Sequence, residues 1–186
     1  MMEQTDVQKK KHRKGIARVV LEWMEELVIA VVIIAIIFTF FFRVITVTGT
    51  SMVPNYNDGD RVLVTTSKSF RQGDVVVITN VLDEPIIKRI IATEGQLVDF
   101  DYEHGVVYVD DEAVDETEFG LQNGITKEPY TSFELLTFPQ RVPKGCVFVL
   151  GDNRAVSEDS RYQIVGMVDR RNILGKALFH LFPFGD

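Results

Sequence analysis

The chain has 186 residues, of which 46% are hydrophobic and 25% are charged, enough for one modest domain and one additional segment. Its formal net charge of −7 argues against nucleic acid as a partner, because phosphate binding needs clustered Lys and Arg. The single cysteine, Cys146, excludes an intramolecular disulfide.

The first 22 residues differ in charge from the rest of the chain. They contain six Lys or Arg and three acidic residues, so their net charge is +3 and the remaining 164 residues carry −10. The opposite signs indicate that the two segments face different environments. Residues 1–22 are predicted to be a cytoplasmic basic tail, because positively charged flanks of a membrane span stay in the cytoplasm.

A long apolar stretch follows the tail. The residues from Leu27 to Phe42 include no charged side chain, and as a helix they would span about 24 Å. Extension through Arg43 to Val47, with the Arg43 guanidinium at the headgroups, closes the gap to the hydrocarbon thickness of about 30 Å. A cleaved signal peptide would be shorter and would end in an Ala-x-Ala site, and a buried core helix is rarely apolar on all faces. Residues 23–43 are therefore predicted to span the membrane, with residues 44–186 outside the cytoplasm.

The exported part has the pattern of an all-β protein. Short runs rich in Val, Ile and Phe alternate with turn residues, including His104-Gly105 and Asp110-Asp111. Residues 111–140 are irregular and are predicted to form an insertion or long loop that can carry one short helix. The predicted fold is an antiparallel, coiled or barrel-like sheet after one transmembrane helix. Strands are predicted at Arg43–Val47, Arg61–Thr66, Asp74–Thr79, Ile86–Ala92, Leu97–Phe100, Val106–Val109, Val147–Leu150, Ile164–Val168 and Gly175–Phe179.

The first segment with possible chemistry is the turn from Thr48 to Pro54. Gly49 allows the backbone to approach closely, and Pro54 fixes φ just after the chain reverses. Ser51 lies in this reversal and is a candidate nucleophile. The alternative is an ordinary turn serine, which is the more common case for a serine in such a context.

A second candidate is the cationic pair Lys88-Arg89 inside an apolar strand. Because side chains alternate along a strand, the two point to opposite faces, and we expect one at solvent or a rim and the other inside. Burial lowers the pKa of an amine from about 10.4 toward the range that suits a general base. Lys88 is therefore a candidate base, and the alternative is a surface lysine on an edge strand.

The third segment is a dense polar loop, from Gly151 to Arg161, directly after a strand. Such loops are often solvent turns held by Asp–Arg pairs. The loop also contains Ser157, the hydroxyl best placed to orient an amine.

Taken together, these segments resemble type I signal peptidases in the compact, single-span form of Gram-positive bacteria. The match covers the chain from the anchor to about residue 166. Asn55 departs from the Thr that is usual in the family, and Gly49 stands where some relatives supply an oxyanion-hole hydroxyl, a role open to Thr48 or Thr50. The matching elements, in the family's order, are Ser51-Met52-Val53-Pro54, Gly59-Asp60-Arg61-Val62-Leu63-Val64, Gly73-Asp74-Val75-Val76, Lys88-Arg89-Ile90, and Gly151-Asp152-Asn153-Arg154 with Ser157 and Asp159-Ser160-Arg161.

The resemblance implies a membrane-bound serine endopeptidase that removes signal peptides from exported preproteins after small residues of the Ala-x-Ala type. Ser51 would be the nucleophile, Lys88 its base and Ser157 the group that orients the lysine. The oxyanion hole would use the Ser51 backbone N–H and Gly49. No cofactor or metal is implied, and the expected surroundings are the lipid bilayer near the secretion translocon. Residues expected to support the active-site loop are Met52, Pro54, Gly151, Asp152, Asn153, Arg154, Asp159 and Arg161.

Position along the chain agrees with this expectation. Ser51 lies eight residues beyond Arg43, so it can be at most about 28 Å from the membrane boundary, where a signal peptide's cleavage site emerges. Pocket residues are expected at Val53 and near Ile86 and Ile87.

Other classes of protein fit less well. A Ser-His-Asp hydrolase would need His104 or His180, neither of which lies in a motif, and no cluster has metal-ligand spacing. The self-cleaving repressors that share Ser/Lys chemistry are soluble and bind DNA. A non-enzymatic assembly factor for surface fibres would be expected to lose the Ser or the Lys, and both are present.

The Phe-rich stretch at residues 179–184 is expected to end a core strand, with contact to lipid as the alternative.

Overall fold

The computed structural model describes residues 2–129 and 133–181, with side chains from residue 18 onward. The chain divides into two compact units, one ending at Phe42 and one beginning at Arg43. The first unit is the helix α1 (Met2–Phe41). Its segment Arg18–Phe41 has 24 residues and a mean hydropathy of 2.5, so its length and composition suffice to cross a membrane. The helix ends two residues before the predicted end of the span, because Phe42 begins the first strand.

In the second unit, the described residues 43–129 and 133–181 form two antiparallel sheets. A seven-stranded sheet has the order β1-β2-β11-β3-β4-β9-β10, and a four-stranded sheet has the order β7-β6-β5-β8. The prediction of an all-β antiparallel domain with one N-terminal apolar helix is therefore confirmed. The strands are β1 (Phe42–Thr46), β2 (Arg61–Thr65), β3 (Val75–Ile78), β4 (Ile86–Thr93), β5 (Leu97–Asp101), β6 (Val106–Val109), β7 (Glu112–Ala113), β8 (Gln140–Arg141), β9 (Cys146–Leu150), β10 (Val168–Asp169) and β11 (Ile173–Leu181).

Most predicted strands occur where the alternating pattern placed them, but the strand predicted at Ile164–Val168 is wrong. The backbone N–H groups of Val165 and Gly166 both donate back to the Tyr162 carbonyl, and Gly166 has a φ of +55°, so the chain turns there. Strand β10 begins only at Val168 and pairs with β9.

The irregular segment 111–140 contains a short 3-10 helix, Glu116–Phe119. The Asp115 carboxylate caps its first turn by accepting from the Thr117 N–H, and Gly120 ends it with a left-handed φ of 72°. Glu116 is 2% exposed although it belongs to an acidic stretch. The helix is therefore packed into the domain, and its partners lie near the polar loop 151–161.

Strand β4 is central in the larger sheet, between β3 and β9, and both of its faces are covered. Ile87, Ile90 and Ile91 belong to three different clusters of buried apolar side chains. Lys88 and Arg89 are both buried as a consequence, at 3% and 7% exposure. The expectation that one of them faces solvent or a rim is wrong, because alternation separates the two faces but does not expose either of them.

Candidate active site

Ser51 lies in the turn between β1 and β2, and local contacts fix this turn. The Gly49 N–H donates to the Asp58 carboxylate at 2.8 Å, and Gly49 has a φ of +85°, which favours glycine. Met52, directly after Ser51, is fully buried in an apolar cluster. The turn is thus held at its base while the half-buried Ser51 stays accessible.

Lys88 reaches Ser51 from β4. Its Nζ lies 2.8 Å from Ser51 Oγ and 3.1 Å from the backbone carbonyl of Ile87. Burial lowers the pKa of the Lys88 amine from its ordinary value of 10.5, and nearby carboxylates oppose this shift in part. These carboxylates belong to Asp159, Glu158 and Asp152.

Arg89, the neighbour of Lys88, binds the polar loop on the opposite face of β4. Its Nε lies 2.7 Å from Asp152 Oδ1, and its Nη2 lies 2.6 Å from Oδ2. Its Nη1 donates to the Gly73 carbonyl at 2.8 Å, and the Phe119 ring lies 5.1 Å from the guanidinium carbon. The strand that carries Lys88 is therefore anchored to the loop by a buried, two-point ion pair.

The loop itself is held by a second buried pair. Arg161 donates through Nε to Asp159 Oδ1 at 2.8 Å and through Nη2 to Oδ2 at 3.0 Å, and both side chains are fully buried. Asp159 also accepts the Gly151 N–H. Of the Asp and Arg side chains expected to pair within the loop, only Asp159 and Arg161 do so, and they pair inside the protein; Asp152 pairs with Arg89 and Arg154 with Glu116.

The loop and the Ser51 turn are joined by Asn153. Its backbone N–H donates to the Ser51 carbonyl at 3.0 Å, and its side-chain Nδ2 donates to the Thr50 carbonyl at 3.2 Å. Through these bonds the position of Ser51 depends on the conformation of the loop 151–161.

Gly151 allows the closest approach in this region. A Cβ at this position would lie 2.1 Å from Ser157 Oγ and 2.6 Å from the Ser51 carbonyl oxygen. The Ser157 side chain is fully buried, and its hydroxyl has no hydrogen-bond partner within the part of the chain that the structure describes. The expected hydrogen bond between Ser157 and the Lys88 amine is therefore not formed in this structure.

Arg154 forms a buried network that the sequence did not reveal. It pairs with the Glu116 carboxylate and donates to Thr126 Oγ1 at 2.6 Å and to the Gly151 carbonyl at 3.0 Å. Burial lowers the pKa of Arg154 to about 10. Because Glu116 is distant in sequence and lies in an irregular segment, no local pattern indicates this pairing.

Asn55, like Glu116, is not among the predicted site residues and was noted only as a departure from the family pattern. Its Nδ2 donates to Asp152 Oδ2 and to the Phe119 carbonyl, both at 2.8 Å. Asn55 thus contacts both the polar loop and the 3-10 helix.

The histidines lie in other contacts. His104 pairs with Asp101 at 2.6 Å in a hairpin turn, and His180 pairs with Asp60 at 2.8 Å. Within the described part of the chain, no three His, Cys, Asp or Glu side chains are grouped as a metal site.

Two cavities border the Ser51 turn. One, of about 170 Å³, is lined by residues 45–48 before Ser51 and residues 84–87 before Lys88. The other, of about 430 Å³, is lined by Val53 and Pro54 after Ser51, together with Leu121, Ile125 and Ala155. Of the predicted pocket residues, Ile86 and Ile87 line the smaller cavity and Val53 the larger.

Residues 20–182 match the model of the family "Signal peptidase, peptidase S26". The chain is 32% identical over 179 residues to signal peptidase IB of Staphylococcus aureus strain COL, covering 90% of this chain and 92% of that protein. It is 34% identical over 175 residues to signal peptidase I of Bacillus licheniformis, covering 89% and 90%.

Among solved structures, the chain is similar to a signal peptidase I from Enterococcus faecalis V583, with 24% identity and a TM-score of 0.44 over 60% of this chain and 97% of that chain. The family match covers most of the sequence, including the turn with Ser51, strand β4 and the polar loop. The chain therefore belongs to the signal peptidase family, peptidase S26.

Proposed function

We propose that this chain is a membrane-bound signal peptidase that uses Ser51 as nucleophile and Lys88 as general base to remove N-terminal signal peptides from exported preproteins. Family membership supports the activity. The observation that carries the assignment of residues is the distance of 2.8 Å between the buried Lys88 amine and the Ser51 hydroxyl.

The lowered pKa of Lys88 allows the proton transfers that the reaction needs. Neutral Lys88 accepts the Ser51 proton while Oγ attacks the scissile carbonyl, and the protonated amine then gives this proton to the leaving amine. The signal peptide is left as an ester on Ser51. Water attacks this ester with Lys88 again as the base, which releases the peptide and restores the hydroxyl.

The oxyanion of the tetrahedral intermediate is stabilised by the Ser51 backbone N–H. This group donates to no other atom in the described part of the chain, so it is available to the substrate oxygen. Gly49 is not included in the proposed hole, because its N–H already donates to Asp58. Ser157 is assigned a packing role against Gly151 in the free enzyme, since its hydroxyl does not reach Lys88.

The polar loop keeps the two catalytic residues together. Asp152 binds the strand that carries Lys88 through Arg89, and Asn153 binds the Ser51 turn. The Asp159–Arg161 pair stabilises the conformation of the loop, and the ion pair between Arg154 and Glu116 binds the loop to the 3-10 helix. Met52 fixes the nucleophile turn from inside the core, and Pro54 lines its outer side.

The two cavities are assigned to the two sides of the cut by their position along the chain relative to Ser51. The smaller cavity, of about 170 Å³, lies beside the segment that precedes Ser51 and is suited to the small side chains before the cut. The larger cavity lies beyond Ser51. This arrangement fits substrates of the Ala-x-Ala type.

The part of the apolar helix segment Arg18–Phe41 that begins at residue 23 is proposed to be the single membrane span, with residues 1–22 in the cytoplasm and residues 44–186 outside. The catalytic domain would then act at the outer surface of the bilayer, near the translocon from which preproteins emerge. A single tether of this kind keeps the nucleophile close to the membrane-bound signal peptide.

A preprotein cleavage assay with the full-length enzyme in detergent tests the dyad. Ser51→Ala and Lys88→Ala should each reduce kcat by at least about 10⁴-fold, as removal of the nucleophile or the base does in serine proteases. Lys88→Arg should be equally inactive, because a guanidinium keeps the charge but cannot accept a proton. Lys144→Arg, on the exposed surface, is the matched control and should cleave normally. Normal cleavage by Lys88→Arg would show that the lysine is not the base.

A further inference from the structure

Asn55 lies where three elements of the active site meet, and its amide group donates to two of them. One hydrogen bond of 2.8 Å reaches Asp152 Oδ2 in the polar loop, and one of 2.8 Å reaches the Phe119 carbonyl at the end of the 3-10 helix. We propose that Asn55 is a positioning residue, which holds the Ser51 turn at the correct distance from Lys88. This inference rests on the function proposed above.

The path from one catalytic residue to the other runs through Asn55. Asn55 lies four residues after Ser51, and its amide binds Asp152. The Asp152 carboxylate accepts two hydrogen bonds from Arg89, and Arg89 is the neighbour of Lys88 in β4. The hydrogen bond between an amide and a buried carboxylate is charge-assisted and therefore stronger than a neutral one. The turn and the strand are thus connected through one carboxylate.

The 3-10 helix Glu116–Phe119 provides the second acceptor for the Asn55 amide and is itself held by other contacts. Its Phe119 ring lies 5.1 Å from the guanidinium carbon of Arg89, and its Glu116 carboxylate pairs with Arg154. Both Glu116 and Arg154 are nearly fully buried. The acceptor for the second Asn55 hydrogen is therefore held by contacts of its own. The irregular segment, for which the sequence indicated no role, becomes part of the active-site frame.

The chemistry of this junction requires a side chain with two donor hydrogens. Both acceptors are oxygens, so Asp in place of Asn would set a carboxylate against Asp152 without a change of shape. Thr has a single hydroxyl hydrogen and can donate to only one of the two oxygens. Ala donates to neither. Asp152 keeps its ion pair with Arg89 in each case, so the main loss is the link to the Ser51 turn.

The test measures kcat and KM for preprotein cleavage by the full-length enzyme in detergent, with thermal unfolding followed in parallel. For Asn55→Ala we expect kcat to fall about 10²-fold with little change in KM, because a misplacement of about 1 Å can cost that much. Asn55→Asp should lose at least as much, and Asn55→Thr should lose less. A side chain that only fills space would give Asn55→Asp a normal kcat.

The matched control is Gln96→Ala, which removes another amide with several hydrogen bonds. Gln96 accepts from the Thr93 N–H and hydroxyl and donates to Asp110, all outside the active site. Its loss should lower the unfolding temperature without changing kcat. A kcat for Asn55→Ala that matches Gln96→Ala at similar stability would overturn the proposal.

The outcomes also separate this inference from the proposed function. If the unsubstituted enzyme cleaves a preprotein and Ser51→Ala does not, the function stands, and only the Asn55 series decides the role of Asn55. If Asn55→Ala fails to fold, Asn55→Thr and Asn55→Asp decide, and normal kcat values in both would refute a positioning role.

Discussion

Arg89 and Asp152 form a buried ion pair with two parallel hydrogen bonds, of 2.7 Å and 2.6 Å, between the strand that carries Lys88 and the loop that binds Ser51. The Asp152 side chain is fully buried and that of Arg89 is 9% exposed. In such a pair each charge compensates the other. Removal of one partner leaves an uncompensated buried charge, which is costly in stability.

Removal of Asp152 should therefore be strongly destabilising. In Asp152→Ala, the Arg89 guanidinium stays buried without its counter-charge, and we expect the free energy of unfolding to fall by about 3–5 kcal/mol. Chemical denaturation of the full-length protein in detergent measures this change. The control is Arg171→Ala, which removes the exposed partner of the Asp169–Arg171 pair, leaves the Asp169 cap in place and should have little effect. Similar losses of unfolding free energy in the two variants would show that the buried pair contributes no more to stability than the exposed pair.

The pH dependence of cleavage should reflect Lys88. Only the neutral amine accepts the Ser51 proton, so kcat/KM should rise with pH as Lys88 loses its proton, and burial moves this rise below the ordinary value of 10.5. The carboxylate of Glu158 favours the protonated amine and raises the pKa of Lys88. Glu158→Gln should therefore shift the rising limb of the kcat/KM profile to lower pH.

The comparison for this shift is Glu112→Gln, which removes an exposed carboxylate from β7, outside the group of acids that act on Lys88. Its profile should coincide with that of the unsubstituted enzyme. A shift of equal size in both variants would indicate a general charge effect, and a shift of Glu158→Gln to higher pH would contradict the assignment of Lys88 as base.

Much of the fold could be predicted from local sequence, and so could the two residues, Ser51 and Lys88, that the structure brings together. Strands such as β6 and β9 have apolar runs bounded by turn residues, and the motifs around Ser51 and Lys88 are contiguous. The failed strand at Ile164–Val168 also had an apolar run, but the turn at Gly166 interrupts it. Within this run Val165 and Val168 are buried, but Ile164 is 55% exposed, so the apolar run predicted neither the strand nor the burial of every member.

The support of the site could not be predicted because it depends on contacts between distant residues. Asn55 donates to Phe119 and Asp152, which are 64 and 97 positions away. Nothing local pairs Glu116 with Arg154. The burial of Arg89 depends on packing over both faces of β4, and this coverage is a property of the assembled sheets.

Lys88 should lower stability at neutral pH because its amine is buried. Its pKa is lower in the folded protein than in the unfolded chain, so the unfolded chain binds more protons between the folded value and 10.5. The free energy of unfolding should therefore rise as pH increases through this window. Lys88→Met, which fills the same space without a charge, should unfold at a higher temperature than the unsubstituted protein at neutral pH.

The stability difference between Lys88→Met and the unsubstituted protein should shrink as pH rises toward 10.5. Thermal unfolding at several pH values checks this trend, with Lys144→Met as the exposed control whose difference should not vary. A gap for Lys88→Met that is constant across pH would mean that the stabilisation comes from packing and has no link to the lysine charge.

Gly151 should tolerate no side chain, for a reason unrelated to its backbone conformation. The Cβ of Gly151→Ala would lie 2.1 Å from Ser157 Oγ and 2.6 Å from the Ser51 carbonyl oxygen, so the loop or the nucleophile turn must move. Because the same Ser51 carbonyl accepts the Asn153 N–H, such a movement displaces the nucleophile, and kcat should fall about 10²-fold.

Gly95→Ala is the comparison, since its Cβ would meet no atom within 4 Å although its φ is +86°. That variant should lose about 1–2 kcal/mol of stability from its left-handed conformation but keep its kcat. Parallel measurements of kcat and unfolding therefore separate the two causes, and normal cleavage by Gly151→Ala would mean that Ser51 does not depend on its contact with the loop.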